Sequence, residues 1–349
     1  ACNRARHRDD ALLVAACEAI SDSETSMSRS GLAFNDVALL LKAMAKHEHR
    51  DDTVIDILLA RARGQLPEAT ASDVSHLLTA LIRLGAVGHV VLKSEGRESL
   101  VSELFWRAGA QLVDPYIPPG DLTNLCAAAA LLPPCEAGAC LLVAAAELLL
   151  SGGSGASAAV PPRDIVRRLT SLYAFDRRLA EAAAAVGTPG PPQNRPASFV
   201  PVLRRLGPER VGQLCIAAAR SFGQRAHELD PKTAISAVHV YAKLCLFVAG
   251  CSPPSTEGTR SVGPASPVPG DLSSLRPLLA LVLQRLPATT APALSQLAEA
   301  AADFEALPGA SGEPLLAELF SALPQEFRHR DRVLDDLPMP ILEARVHGL

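Results

Sequence analysis

Read as a string of apolar and polar positions, the chain repeats one phrase: Asp, apolar, two variable residues, two apolar residues, one variable residue, one small residue. It reads Asp36-Val37…Leu40-Leu41…Ala43, then Asp73-Val74…Leu77-Leu78…Ala80, then Asp121-Leu122…Leu125-Cys126…Ala128. A looser copy is Asp164-Ile165…Leu169…Ser171, and in Arg210-Val211…Leu214-Cys215…Ala217 an arginine stands where the Asp was. The first four starts are separated by 37, 48 and 43 residues. A phrase recurring at this interval predicts stacked helical hairpins.

Offsets from the leading residue predict how each helix is used. Positions +1, +4, +5 and +8 fall on one helical face and are apolar in the first three copies, so they predict the buried stripe. Position +7 is small in every copy and predicts a close helix crossing. The Asp lies near the helix start, where a carboxylate caps free N–H groups and meets the helix dipole. A second phrase opens the partner helices: Arg8-Asp9-Asp10 and Arg50-Asp51-Asp52, with Glu98, Glu136 and Asp176 at comparable places. The whole reads as an all-α protein, an α-solenoid of about six to seven hairpins. Phe105 and Trp106, in a partner helix, are expected in its core.

Three Pro-, Gly- and Ser-rich stretches interrupt the rhythm: 151–162, 187–197 and 252–270. They predict linkers, and the longest divides a repeat array (1–251) from a C-terminal helical group (271–349). Composition supports the class. Apolar residues make up 48% of the 349, mostly Ala and Leu, which favour helices over sheets. No run of eighteen apolar residues occurs, so no membrane span is expected. Eight scattered cysteines include no CxxC pair, and Cys126 and Cys215 share position +5, which predicts buried, reduced core thiols.

Charge adds the first functional hint. The net charge is −4, yet residues 163–225 alone carry +7, leaving −11 for the rest. The arginines responsible include Arg163, Arg167, Arg168, Arg177, Arg178, Arg204, Arg205, Arg210, Arg220 and Arg225. Such a segment predicts contact with a polyanion, although a solvated helix face carries arginines too. A second hint is the +3 series Leu39, His76, Asn124, Arg167, Gln213, which points away from the apolar stripe. After its first member it is a row of hydrogen-bonding side chains, suited to RNA bases and equally to solvent. Aromatics are only 4% of the chain, which disfavours binding by base stacking.

No Walker loop, GxGxxG, HExxH or GxSxG is present, so no catalytic residues, metal ligands or cofactor are assigned and no enzymatic activity is expected. His47-Glu48-His49 with Asp51-Asp52 is the densest group of metal-type ligands, and its place between two helices predicts a solvated turn.

The segments FNDVALLLKAMAKH (34–47), ASDVSHLLTALIRL (71–84) and PGDLTNLCAAAALL (119–132) resemble the octotricopeptide and heptatricopeptide repeats of eukaryotic organelles. Such proteins often carry a RAP domain and are related to FAST-kinase-like proteins. The resemblance covers about residues 8–250. It implies an RNA-binding protein of the mitochondrion, with the plastid as alternative, acting on organellar transcripts or within the organellar ribosome. The uneven repeat lengths, and the lack of a recognisable RAP-like α/β module, favour a structural part in a ribonucleoprotein. The alternative is a protein–protein scaffold in an organellar assembly without direct RNA contact.

Overall fold

The computed structural model describes residues 10–22, 32–91, 99–112, 117–151, 160–185, 200–251, 272–307 and 313–335. Of these 87% are helical and none lies in a strand, so the all-α class holds for the described residues. The expected linkers 187–197 and 252–270 lie outside them, as does the middle of 151–162. The chain forms two compact units, residues 1–156 with 167–206, and residues 157–166 with 207–349.

In the first unit the elements are α1 (Asp10–Asp22), α2 (Phe34–Lys46), α3 (Asp52–Gly64), α4 (Ala71–Arg83), α5 (Val87–Val91), α6 (Leu100–Ala110), α7 (Pro119–Leu131), α8 (Glu136–Ser151) and most of α9 (Pro162–Ala185). The helices that open on the Asp phrase form one row, α2 against α4 and α4 against α7, while α1 packs on α3 and α6 on α8. The phrase explains the row. Val37, Leu41 and Met44, then Val74, Leu77, Leu78 and Leu81, are fully buried, each contributing roughly 1.5–3 kcal/mol by leaving water. The small +7 residues Ala43, Ala80, Ala128 and Ser171 are buried as well. Phe105 joins this core. Trp106 does not: it is 44% exposed, because one step along a helix rotates a side chain by about 100° away from its neighbour.

Caps fix where these helices begin. Asp36 Oδ2 accepts the Ala33 N–H at 3.1 Å and Asp73 Oδ2 accepts that of Thr70 at 3.0 Å, three residues back in each case. Asp51 caps α3 by accepting from Val54 N–H at 3.1 Å. The turn His47-Glu48-His49 closes α2: Glu48 has φ 55°, and His49 N–H reaches back to the Met44 carbonyl at 3.0 Å. His47 itself is buried rather than solvated.

The second unit holds most of α10 (Val202–Arg225), then α11 (Pro231–Cys251), α12 (Arg276–Arg285), α13 (Ala291–Glu305) and α14 (Pro314–Asp335). Helix α10 is broken at Gly207, whose φ of 76° favours glycine, and Pro208 starts its second piece. Helix α11 packs on α13 and α12, so residues on both sides of 252–270 share one core. Among the described residues it is the one helix long and apolar enough to cross a membrane, and more than half of that stretch is buried in the fold. Two of its polar residues face α13: Lys243 Nζ lies 2.9 Å from Asp303 Oδ2 and also pairs with Glu299, and His239 Nε2 lies 3.3 Å from Glu299 Oε2.

Candidate nucleic-acid interface

In the first unit the +3 series is a physical row. His76 on α4, Asn124 on α7 and Arg167 on α9 occupy successive phrase-bearing helices, and Arg167 Nη2 donates to Asn124 Oδ1 at 3.4 Å. Asp121 extends the row towards α4: its carboxylate accepts from Ser72 Oγ, and its Oδ1 lies 3.8 Å from His76 Nε2. The local sequence explains why this Asp behaves differently from Asp36 and Asp73. Three residues before it stands Pro118, which has no N–H to be capped, so the carboxylate turns to the neighbouring helix. Leu39 holds the equivalent place on α2 and is partly exposed, so the row begins apolar and becomes polar.

The arginines divide by burial. Arg167, Arg177 and Arg204 are exposed in this unit, with Arg177 Nε 3.3 Å from Glu181 Oε1 one turn on. Arg168 is only 3% exposed; its Nε donates to Thr123 Oγ1 at 3.0 Å and its Nη2 to the Pro119 carbonyl at 2.7 Å. Arg178 Nη1 donates to the carbonyls of Ala130 and Leu132 at 2.8 and 3.0 Å. These two arginines therefore fasten α9 to both ends of α7; Arg178 satisfies carbonyls that the C-terminal end of α7 leaves open. Arg205 grips Glu136 through two bonds of 2.5 and 2.7 Å and approaches Cys140 Sγ at 3.7 Å. The bond to Arg205 holds the Glu136 carboxyl below its ordinary pKa, whereas burial, with Glu136 adding to it, pushes the Cys140 thiol up.

A cap adjoins this cluster. Asp176 accepts the backbone N–H groups of Val202 and Leu203 at 2.6 and 2.8 Å, fixing the start of α10 from the side of α9. Burial raises its pKa, and the two N–H donors oppose that rise.

In the second unit Arg163, Arg210 and Arg220 are exposed and Gln213 is half-buried. Arg225 is an internal tie, bonded to Glu228 through two contacts of 2.7 Å and to the Val160 carbonyl at 3.0 Å. Four of the sequence's candidate cations, Arg168, Arg178, Arg205 and Arg225, thus have guanidiniums engaged within the fold, and fewer face solvent than the charge count implied. A signal for the most buried of them was present: Arg168 stands at +4 of its copy, where the others have Leu40, Leu77, Leu125 and Leu214.

Burial raises the pKa of a core thiol in each unit. Cys126, at +5 of α7, is pushed up to about 12 by burial, against the pull of the Arg168 cation. Cys215 is raised through its bond to Cys245 and by burial. Among the described residues no group of three His, Cys, Asp or Glu side chains is placed to hold a metal ion.

The described residues define an all-helical protein in which the phrase-bearing helices α2, α4 and α7 pack in one row. No protein-family model matches the chain, and no curated protein shows significant similarity to it.

Proposed function

We propose that this is a non-enzymatic helical-repeat protein, an α-solenoid of about six to seven hairpins, that binds RNA through its exposed arginines and the adjoining polar row. The observation that carries the reading is the row itself: His76, Asn124 and Arg167 on three successive phrase-bearing helices, with Asn124 and Arg167 in contact. Arg167, Arg177 and Arg204 neutralise phosphates, while Asn124 and His76 offer donors and acceptors to base edges or riboses. In the second unit Arg163, Arg210 and Arg220, with Gln213 beside them, supply further cationic contacts. The setting, a mitochondrial ribosome or another organellar ribonucleoprotein, rests on the resemblance of the repeats alone.

The test is binding of structured RNA as a function of salt, comparing the wild type with the triple variant Arg167→Glu, Arg177→Glu, Arg204→Glu. Each lost phosphate contact removes about 0.9 from the log–log slope on duplex, so the variant loses affinity and flattens the slope by about 2–3. An unchanged slope overturns the reading.

One observation favours a second reading. With Arg168, Arg178, Arg205 and Arg225 engaged internally, the basic segment presents less free charge than its sequence suggests, as a protein scaffold would. Co-sedimentation with organellar particles that survives nuclease treatment separates that scaffold from an RNA binder.

A further inference from the structure

We infer that Asp121 is the side chain by which the polar row selects ribose over deoxyribose, one carboxylate oxygen accepting a hydrogen bond from a 2′-hydroxyl. The inference rests on the RNA-binding reading of that row. Five side chains of the first unit form it: Ser72 and His76 on α4, Asp121 and Asn124 on α7, and Arg167 on α9. Arg167 is exposed and the other four are half-buried, so each can be reached from solvent. Asp121 alone among the five is an anion, and it repels the phosphates that Arg167 attracts. Such a group is unfavourable in a polyanion site unless it accepts a hydrogen bond there.

The carboxylate is half used. Its Oδ2 accepts from Ser72 Oγ, which ties α4 to α7, whereas Oδ1 stands 3.8 Å from His76 Nε2, too far for a hydrogen bond. Asp36 and Asp73 are occupied in capping their own helices, but Pro118 gives Asp121 no N–H to cap. The number of open oxygens selects the donor. Guanine presents two donors side by side, N1–H and the 2-amino group, and a carboxylate needs both oxygens to take them. With Oδ2 engaged, Oδ1 suits a single donor. A 2′-hydroxyl is one, and every ribonucleotide carries it; the amino groups of adenine and cytosine are single donors too, on two bases only. The hydroxyl hangs from the carbon next to the one that bears the 3′-phosphate. Asp121 and Asn124 are about 4.5 Å apart along the axis of α7, and Asn124 Oδ1 accepts from Arg167 Nη2 at 3.4 Å. One nucleotide therefore spans the row, with its phosphate at Arg167 and its hydroxyl at Asp121.

The test titrates single strands of one mixed sequence, as RNA, 2′-fluoro RNA and DNA, against the full chain by fluorescence anisotropy. Fluorine keeps the RNA sugar pucker but donates no hydrogen bond. The wild type is expected to bind RNA about tenfold tighter than either of the others, the scale of a hydrogen bond to a charged group. Asp121→Ala is expected to bring the three within about twofold: RNA weakens, and DNA tightens because a repelling charge is gone. A purely structural carboxylate would weaken all three together. Should Asp121→Ala lose its helical circular dichroism, the isosteric Asp121→Asn takes its place, with the preference expected to shrink in the same direction. Equal wild-type binding of RNA and 2′-fluoro RNA, a preference untouched by the variant, or a uniform weakening overturns the inference. So does a preference for adenine- or cytosine-containing strands that fluorine leaves intact, which assigns Oδ1 to a base amino group. Salt-dependent binding that ignores the 2′ group sinks this inference alone, whereas no binding to any strand sinks the RNA reading with it.

Discussion

Arg168 Nε donates to Thr123 Oγ1 at 3.0 Å, a buried bond that places a cation in the α7–α9 contact where the other copies of the phrase have leucine. Thr123 Oγ1 in turn donates to the Pro119 carbonyl at 2.8 Å, which Arg168 also bonds. The arginine is thus held by an already paired hydroxyl and carbonyl, and it fills volume as much as it satisfies acceptors. Restoring the repeat's own residue, Arg168→Leu, is expected to change stability by less than about 1 kcal/mol, because a well-packed apolar replacement offsets the loss of a buried ion's contacts. Arg168→Ala, which leaves a cavity, is expected to cost about 2–5 kcal/mol. Denaturant midpoints decide it; equal losses for the two variants would show that the bonds outweigh the volume.

The exposed and internal arginines separate in a single comparison. Arg178→Gln removes a tie to Ala130 and Leu132 and is expected to lower the unfolding midpoint while leaving the salt slope of RNA binding intact. Arg204→Gln is expected to do the reverse, with a slope smaller by about 0.7–0.9 and unchanged stability. Parallel thermal melts and salt titrations on both variants would show any crossing of these roles.

The α11–α13 contact is expected to lose stability in two windows as pH falls. Burial lowers the pKa of His239 below the ordinary 6.5; Glu299 and Asp303 oppose this, and Lys243 adds to it. Below 6.5 the unfolded chain therefore takes up the proton before the folded one does, so stability falls as pH drops through that range. Glu299, held low mainly by its bond to Lys243, contributes stability present above 4.5 and lost as pH falls further. His239→Gln is expected to abolish the first decline and keep the second. A wild-type stability that is flat between pH 7 and 5 would contradict this.

Glu48 pays the steric cost of φ 55°, a region where a side chain is disfavoured by roughly 1–2 kcal/mol. Glu48→Gly is expected to raise stability by about 1 kcal/mol, discounted for the greater freedom of glycine in the unfolded chain. A lower melting temperature for this variant would mean that the Glu48 side chain makes a compensating contact.

Gly223 lies so close to the 3₁₀ turn at Leu272–Leu275 that an added Cβ would come within 2.2 Å of the Ser274 carbonyl oxygen. Backbone cannot yield as a flexible side chain does, so Gly223→Ala is expected to destabilise by about 1–3 kcal/mol. Gly109, with open space around its Cβ position, is the control: Gly109→Ala is expected to be neutral or stabilising in the same calorimetric measurement.

The sequence by itself determined the helical class and the use of each repeat position. Asp36 and Asp73 cap, Val37, Leu41, Val74, Leu77, Leu78 and Leu81 build the stripe, and Ala43, Ala80 and Ala128 are buried, because helical period and capping are local rules that a chain carries in its order of residues. Net charge was also legible, but its placement was not. Whether an arginine faces solvent or a carbonyl depends on which helix end lies opposite it: Arg178 meets Ala130 and Leu132, Arg205 meets Glu136, and Arg225 meets Val160, partners 46 to 69 residues away. Arg168 could have been read from its +4 phase, whereas Trp106 could not, since an aromatic in an Ala- and Leu-rich helix satisfies the same local pattern inside or out. Tertiary structure alone decided these, because guanidinium groups reach across helices to wherever open carbonyls and carboxylates happen to stand.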